Sequence, residues 1–154
     1  MQPPQLNHKY QALGNDSRYF VVTGGRGSGK SFAIGSFLAL LTMEQGHKVL
    51  FTRYTMSSAS TSIIPEFIEK IELYGISEHF RITKDEILNM STGSSIIFKG
   101  IKTSAGNQTA ALKSLQGITT FVLDEAEELI DCLLYTSDAA DDSLRVDLGG
   151  RRII

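Results

Sequence analysis

Tyr19-Phe20-Val21-Val22-Thr23-Gly24-Gly25-Arg26-Gly27-Ser28-Gly29-Lys30-Ser31 is the stretch whose reading decides the fold class. An apolar, β-branched run bounded by glycines predicts a buried strand over Tyr19 to Thr23. Behind the turn, Lys30 to Gln45 carries apolar residues at 34, 37, 38, 40 and 41, and Gly46 follows. That spacing predicts a helix, with Gly46 just past its end. The eight residues between, Gly24, Gly25, Arg26, Gly27, Ser28, Gly29, Lys30 and Ser31, fit G-x-x-x-x-G-K-[ST] in the strand-then-helix context the pattern requires. Glycines let a loop wrap so that its N–H groups face inward onto phosphate oxygens, and a helix N-terminus adds partial positive charge there. On this reading Lys30 meets the β and γ phosphates of ATP, and Ser31 holds Mg²⁺. A glycine-rich turn that binds nothing is the bland alternative; it has no need of a lysine at this position.

The second half of such a site is an apolar strand ending in an acid, so that a carboxylate emerges at the strand's C-terminal edge. Ile118 to Leu123 followed by Asp124-Glu125 has that form. Asp124 is the candidate for Mg²⁺, and Glu125 for the base that orients and deprotonates an attacking water. The competing explanation is that both acids cap a helix that starts there. With the phosphate loop upstream the chemical reading prevails, and Glu127 and Glu128 are left as solvated helix residues. Hydrolysis of ATP is favoured over other nucleotide chemistry. A small-molecule kinase has no use for the second carboxylate, and neither an Asp-x-x-Gly switch nor an Asn-Lys-x-Asp base reader of a GTPase stands before residue 132.

Further strands and helices extend the pattern. Lys48 to Tyr54 predicts a second strand, and Ser57 to Tyr74 a helix with its stripe at 63, 64, 67, 68 and 71, stopped by Gly75. Glu86 to Met90 and Ser95 to Lys99 flank Thr92-Gly93-Ser94 and predict a β-hairpin. Strands alternating with helices of this length imply an α/β fold with a mostly parallel sheet flanked by helices on both faces. Residues 1–18 are polar, with turn chemistry at Pro3-Pro4 and Gly14 to Ser17, and form an N-terminal arm.

Composition narrows the class. The chain has 154 residues, 42% apolar and 21% charged, with a formal charge of −2, which fits one globular unit with a real core. Its apolar stretches are shorter than the roughly 20 residues that cross a bilayer, and no leader pattern opens it. One cysteine, Cys132, excludes a disulfide framework, and histidines 8, 47 and 79 lack ligand spacing. Metal is therefore expected to arrive with the nucleotide. Near-neutral charge gives no basic footprint for nucleic acid. From Cys132 the periodicity ends, and Cys132 to Ser137 back-translates to the mosaic end of a transposon-based sequencing adapter, with the frame continuing to Ile154. Residues 132–154 are accordingly expected to be a non-native tail, and residues 19–131 part of a longer ATPase domain.

Together, the glycine loop, Phe98-Lys99-Gly100-Ile101-Lys102, Lys113-Ser114-Leu115-Gln116-Gly117 and Asp124-Glu125-Ala126-Glu127 resemble the N-terminal ATPase domain of phage large terminases. These belong to the additional-strand, catalytic-glutamate branch of P-loop ATPases, and the resemblance covers Tyr19 to Leu129. It implies a RecA-like P-loop fold with a hairpin insertion and a packaging ATPase in the parent protein. It also implies a ring of subunits on a portal protein, a small terminase partner, double-stranded DNA as the cargo, and the cytoplasm of an infected bacterial host as the place. The family's nuclease domain has no counterpart here. The resemblance gives Arg26 a role at the γ-phosphate, where a guanidinium suits a phosphate; a solvent-facing loop arginine is the alternative. Arg53 ends the second strand on the cradle's edge, facing either nucleotide, a neighbouring subunit or a surface ion pair. Lys113 is similar, and Tyr10 or Tyr19 could stack on adenine. Rival readings are a helicase-like DNA-stimulated ATPase and a nucleotide-binding module without turnover, the latter disfavoured by Glu125.

Overall fold

The computed structural model describes residues 6–55, 62–102, 116–126 and 152–153. Its centre is β1, Lys48–Thr55, an eight-residue strand flanked by β4, Ser95–Lys102, and by β5, Thr120–Leu123, both parallel to it. β3, Glu86–Asn89, returns antiparallel to β4, and β2, Phe80–Ile82, antiparallel to β3. Two further residues, Arg152–Ile153, form β6 beside β5, completing the order β2-β3-β4-β1-β5-β6. These two are all that is described of the tail that the sequence sets aside. An open strand edge accepts any extended backbone, so this pairing is independent of side-chain identity.

Both described helices pack on one face of the sheet. α1, Lys30–Leu41, and α2, Ile64–Leu73, share a core with Val49, Phe51, Ile87, Ile96, Phe98 and Val122, which the two-residue repeat of the strands puts on that side. Phe51, Phe67 and Phe98 meet at 5.4–5.8 Å between ring centroids, two of the three pairs edge-on. Leu50, Ile97 and Ile118 form a smaller buried cluster on the opposite face. The helices approach closely because Gly35 has no side chain. A Cβ there would lie 2.9 Å from Lys70 Cδ, whose buried stem crosses α1 and delivers its ammonium to the Glu66 carbonyl, 3.0 Å away, over the ring of Phe32.

Two expectations change. Tyr19 to Thr23 is not a strand of the sheet: Phe20 and Val22 pack against the core, while Tyr19 is 60% and Val21 88% exposed. The in-out alternation of a strand is present, but a strand also needs a ladder partner. Tyr19 makes only an isolated bridge, and among the described residues no strand of the sheet pairs with the run. The first helix ends at Leu41 rather than Gln45, because its last carbonyls bond elsewhere; Met43 and Glu44 close with tighter turns onto Leu40 and Leu41. The second helix begins at Ile64, and the start of the stretch expected to be helical, 57–61, lies outside the described residues. The hairpin forms as expected, with Gly93 at φ 74° in its turn. The apolar run at 118–123 becomes β5, between β1 and β6.

Candidate nucleotide site

Residues 24–31 form a loop whose geometry only glycine supplies easily. Gly27 and Gly29 stand at φ 77° and 82°, the left-handed region, and Gly29 is the N-cap of α1 with no side chain capping it. The first bond inside α1 runs from Ala33 N to Gly29 O at 2.9 Å, so the N–H groups of Lys30, Ser31 and Phe32 have no partner within the helix. Lys30 folds across its own loop. Its ammonium bonds the carbonyl of Gly24, that of Gly25 at 3.1 Å and the Ser28 hydroxyl at 3.4 Å. Arg26, at the tip, is exposed, and among the described residues it has no hydrogen-bond or ion-pair partner.

The N-terminal arm buttresses this loop. Asn7 starts a 3-10 turn, His8–Gly14, by accepting from Lys9 N, and the turn buries Tyr10 and Leu13. Tyr10 donates its hydroxyl to the Ser28 carbonyl at 2.8 Å and sets its ring edge against Gly29. Only 6% exposed, it is part of the core, which explains its position better than the stacking surface considered for it. Beside it a pocket of about 190 Å³ lies between Leu6, Asn7, Phe32 and loop residues 27–29. Tyr19, the other stacking candidate, is exposed with the Arg18 guanidinium 5.4 Å over its ring.

The acidic half is built by strand register. Thr52 pairs with Leu123, and the ladder continues through Asp124 N to Thr52 O at 2.9 Å, so the next residue of β1, Arg53, comes beside Asp124. Its Nε and Nη2 both donate to Asp124 Oδ2, at 3.0 and 2.7 Å, and Nη2 lies 3.2 Å from Glu125 Oε1. Nη1 reaches the Ser62 hydroxyl at 3.4 Å. Half-buried, charge-assisted and shared between two acids, this contact is stronger than an exposed ion pair. Arg53 is thus the residue whose role sequence left open: its partners are the two candidate catalytic acids. Glu125 adopts φ 55°, the only non-glycine among the described residues to do so. Such a conformation costs on the order of 1–2 kcal/mol, and at a candidate catalytic position it argues that direction of the side chain is what matters.

The two halves have separate partners: Lys30 holds its own loop, Asp124 and Glu125 hold Arg53, and among the described residues no hydrogen bond or ion pair joins them. The expected Lys30–Asp124 juxtaposition is therefore not present as a contact. Lys113 lies outside the described residues. Among those described, no cluster of three or more metal-ligating side chains occurs, and no helix is long and apolar enough to cross a membrane. Tyr10's tie to the loop and Arg53's partners both escaped sequence reading. Arg53's place on the second strand was visible, although β1 runs two residues past it to Thr55; its register against Asp124 was not.

A glycine loop opening α1, and an acid pair at the end of a strand in a mostly parallel sheet, define the class of P-loop nucleotide-binding α/β domains. The sequence model for the phage terminase large subunit matches residues 16–136, well over half of the chain, and no curated protein matches it. This chain belongs to the phage terminase large subunit family, whose members have the P-loop NTPase fold and act as packaging motors.

Proposed function

We propose that the chain is an ATP-hydrolysing motor domain of a DNA-packaging terminase, coupling ATP hydrolysis to translocation of double-stranded DNA. The observation that carries this is the end of β5, where Asp124 and Glu125 stand together, held by Arg53 from the neighbouring strand. A binding module has no need of the second carboxylate, and a strained backbone at that residue favours a chemical task for it.

The residues fit ATP with Mg²⁺. Left-handed glycines and the N–H groups of Lys30, Ser31 and Phe32, which have no helix partners, suit phosphate oxygens. The Ser31 hydroxyl with the Asp124 carboxylate is the all-oxygen donor set that Mg²⁺ prefers. When bound, the ion neutralises charge on the β and γ phosphates. The chain's own residues do the rest. Lys30 exchanges the Gly24 and Gly25 carbonyls for phosphate oxygens, a better partner for an ammonium. Arg26, exposed at the loop tip, adds a guanidinium toward the γ-phosphate. Asp124 would exchange Arg53 for the metal where one is bound, and Glu125 would accept the proton of the attacking water. Portal protein, small terminase subunit and further copies in a ring are the partners in the host cytoplasm.

The test compares MgATP binding and phosphate release, with and without double-stranded DNA, for the chain and for Glu125→Gln and Lys30→Ala. Turnover lost in the first with binding kept, and binding lost in the second, are expected. Wild-type affinity in Lys30→Ala removes the cradle from the account, and unchanged turnover in Glu125→Gln removes the base.

A further inference from the structure

The turn of the β3–β4 hairpin is bonded to the far end of the helix that carries Lys30 and Ser31. Asn89, fully buried, donates from Nδ2 to the Thr42 carbonyl at 3.1 Å, and the Thr92 hydroxyl donates to the same oxygen at 2.7 Å. The Ser94 hydroxyl donates to the Glu44 carbonyl at 2.5 Å and accepts from His47 N at 3.1 Å. Asn89 has no slack. Its Oδ1 accepts from Ser91 N and Thr92 N at 2.9 and 3.2 Å, so its orientation is fixed by the turn it organises. Carbonyls at a helix C-terminus lack intrahelical donors and are ordinarily met by local turns or water. Here the last carbonyls of the helix are met by local turns, but the C-cap carbonyl of Thr42 and that of Glu44 just past it are met by three side chains from 47 to 50 residues away. At the other end of α1, the Tyr10 hydroxyl holds Ser28.

We propose that Asn89 and Thr92 are positioning residues for the phosphate loop: by clasping the C-terminal end of α1 they set the helix's axial position and rotation, and so the placement of Lys30 and Ser31. A twelve-residue helix is a rod about 18 Å long, stiff enough to carry a displacement from one end to the other. The hairpin turn is consequently a handle on the nucleotide site. It is reachable, since Met90, Ser91 and Gly93 beside the clasp are exposed. This deepens the nucleotide-site reading and rests on it for ligand binding, but not for the mechanical link itself.

The experiment uses the whole chain, with Asn89→Ala, Thr92→Val and the rescue variant Thr92→Ser. Two readouts are taken: hydrogen exchange by residue, and affinity for a slowly hydrolysed MgATP analogue. Faster exchange at residues 27–32 as well as at 42–47 is expected in Thr92→Val and Asn89→Ala. Affinity should weaken about threefold to tenfold, the loss of one or two buried hydrogen bonds expressed at the loop. Thr92→Ser should restore both. A merely structural clasp moves exchange at 42–47 and 89–95 and leaves 27–32 alone, and that result overturns the proposal. If Asn89→Ala does not fold, Thr92→Val decides, since Asn89 still holds the carbonyl. Should the unaltered chain fail to bind the analogue, the nucleotide reading fails by itself, and exchange at 27–32 still decides the coupling.

Discussion

The two halves of the candidate site are held in opposite ways. Asp124 and Glu125 extend a strand embedded beside β1, with Val122 buried two residues before and a ladder bond reaching Asp124 itself. The phosphate loop instead follows a segment outside the sheet. It is fixed by the start of α1, one tyrosine hydroxyl and its own lysine. On the proposed function, a fixed carboxylate edge and an adjustable cradle would let loss of the γ-phosphate move the cradle side and leave the acids as the reference.

The largest effect expected tests the fixed side. Phe98→Ala removes a fully buried ring from the Phe51–Phe67–Phe98 contact and should cost about 3–5 kcal/mol in unfolding free energy, measured by urea denaturation. Typical domains hold only about 5–15 kcal/mol, so this variant stands near the threshold of folding. A loss under about 1 kcal/mol would mean that the sheet centre is not the anchor described.

Next comes the chemistry at that anchored edge. Glu125→Gln keeps shape and removes the proposed base, and phosphate release should fall by about 10²-fold or more, with binding of MgATP preserved. Glu125→Gly separates strain from chemistry. It should be equally inactive yet more stable, by roughly 1 kcal/mol, because glycine adopts φ 55° without cost. Equal melting temperatures for the Gln and Gly variants would show that the backbone there stores nothing.

Much of this arrangement is legible in the amino-acid order alone. The apolar run 118–123 announces β5, the glycine-lysine-serine turn announces the loop, and Gly46, Gly75 and Gly93 all stand at positive φ where turns were expected. Those signals are local. What escaped is what needs a distant partner. Tyr19 to Thr23 has the composition and alternation of a strand, but composition cannot supply the neighbouring edge. Leu41 ends the helix short of the expected Gln45: Met43 N and Glu44 N turn onto Leu40 and Leu41, and donors from the distant hairpin turn hold the Thr42 carbonyl beyond them. Arg53 can be placed on the second strand from sequence, whereas its two acidic partners depend on the β1–β5 register, and a shift by one residue would turn it to the other face.

The cradle side is probed by smaller changes. Gly29→Ala forces a side chain into the left-handed region at φ 82° and should destabilise by about 1–2 kcal/mol; because it strains the loop, affinity for MgATP should fall with it. Stability lost with affinity unchanged would detach the loop's conformation from binding.

The smallest effect belongs to the arm. Tyr10→Phe deletes a single hydroxyl and leaves the Ser28 carbonyl without that donor, so the cost in stability should be about 0.5–1.5 kcal/mol. Its position makes it more informative than its size. If the loop is adjustable because few bonds fix it, removing one of them should increase hydrogen exchange at residues 27–31 while β1 and β5 stay protected. An arm that only fills space, with the hydroxyl incidental, would leave exchange in the loop as it was, since the ring that packs on Gly29 is intact in phenylalanine. Spread of the effect into β5 would contradict the division between a fixed edge and a movable loop, because nothing in the ladder from Thr52 to Asp124 depends on Tyr10.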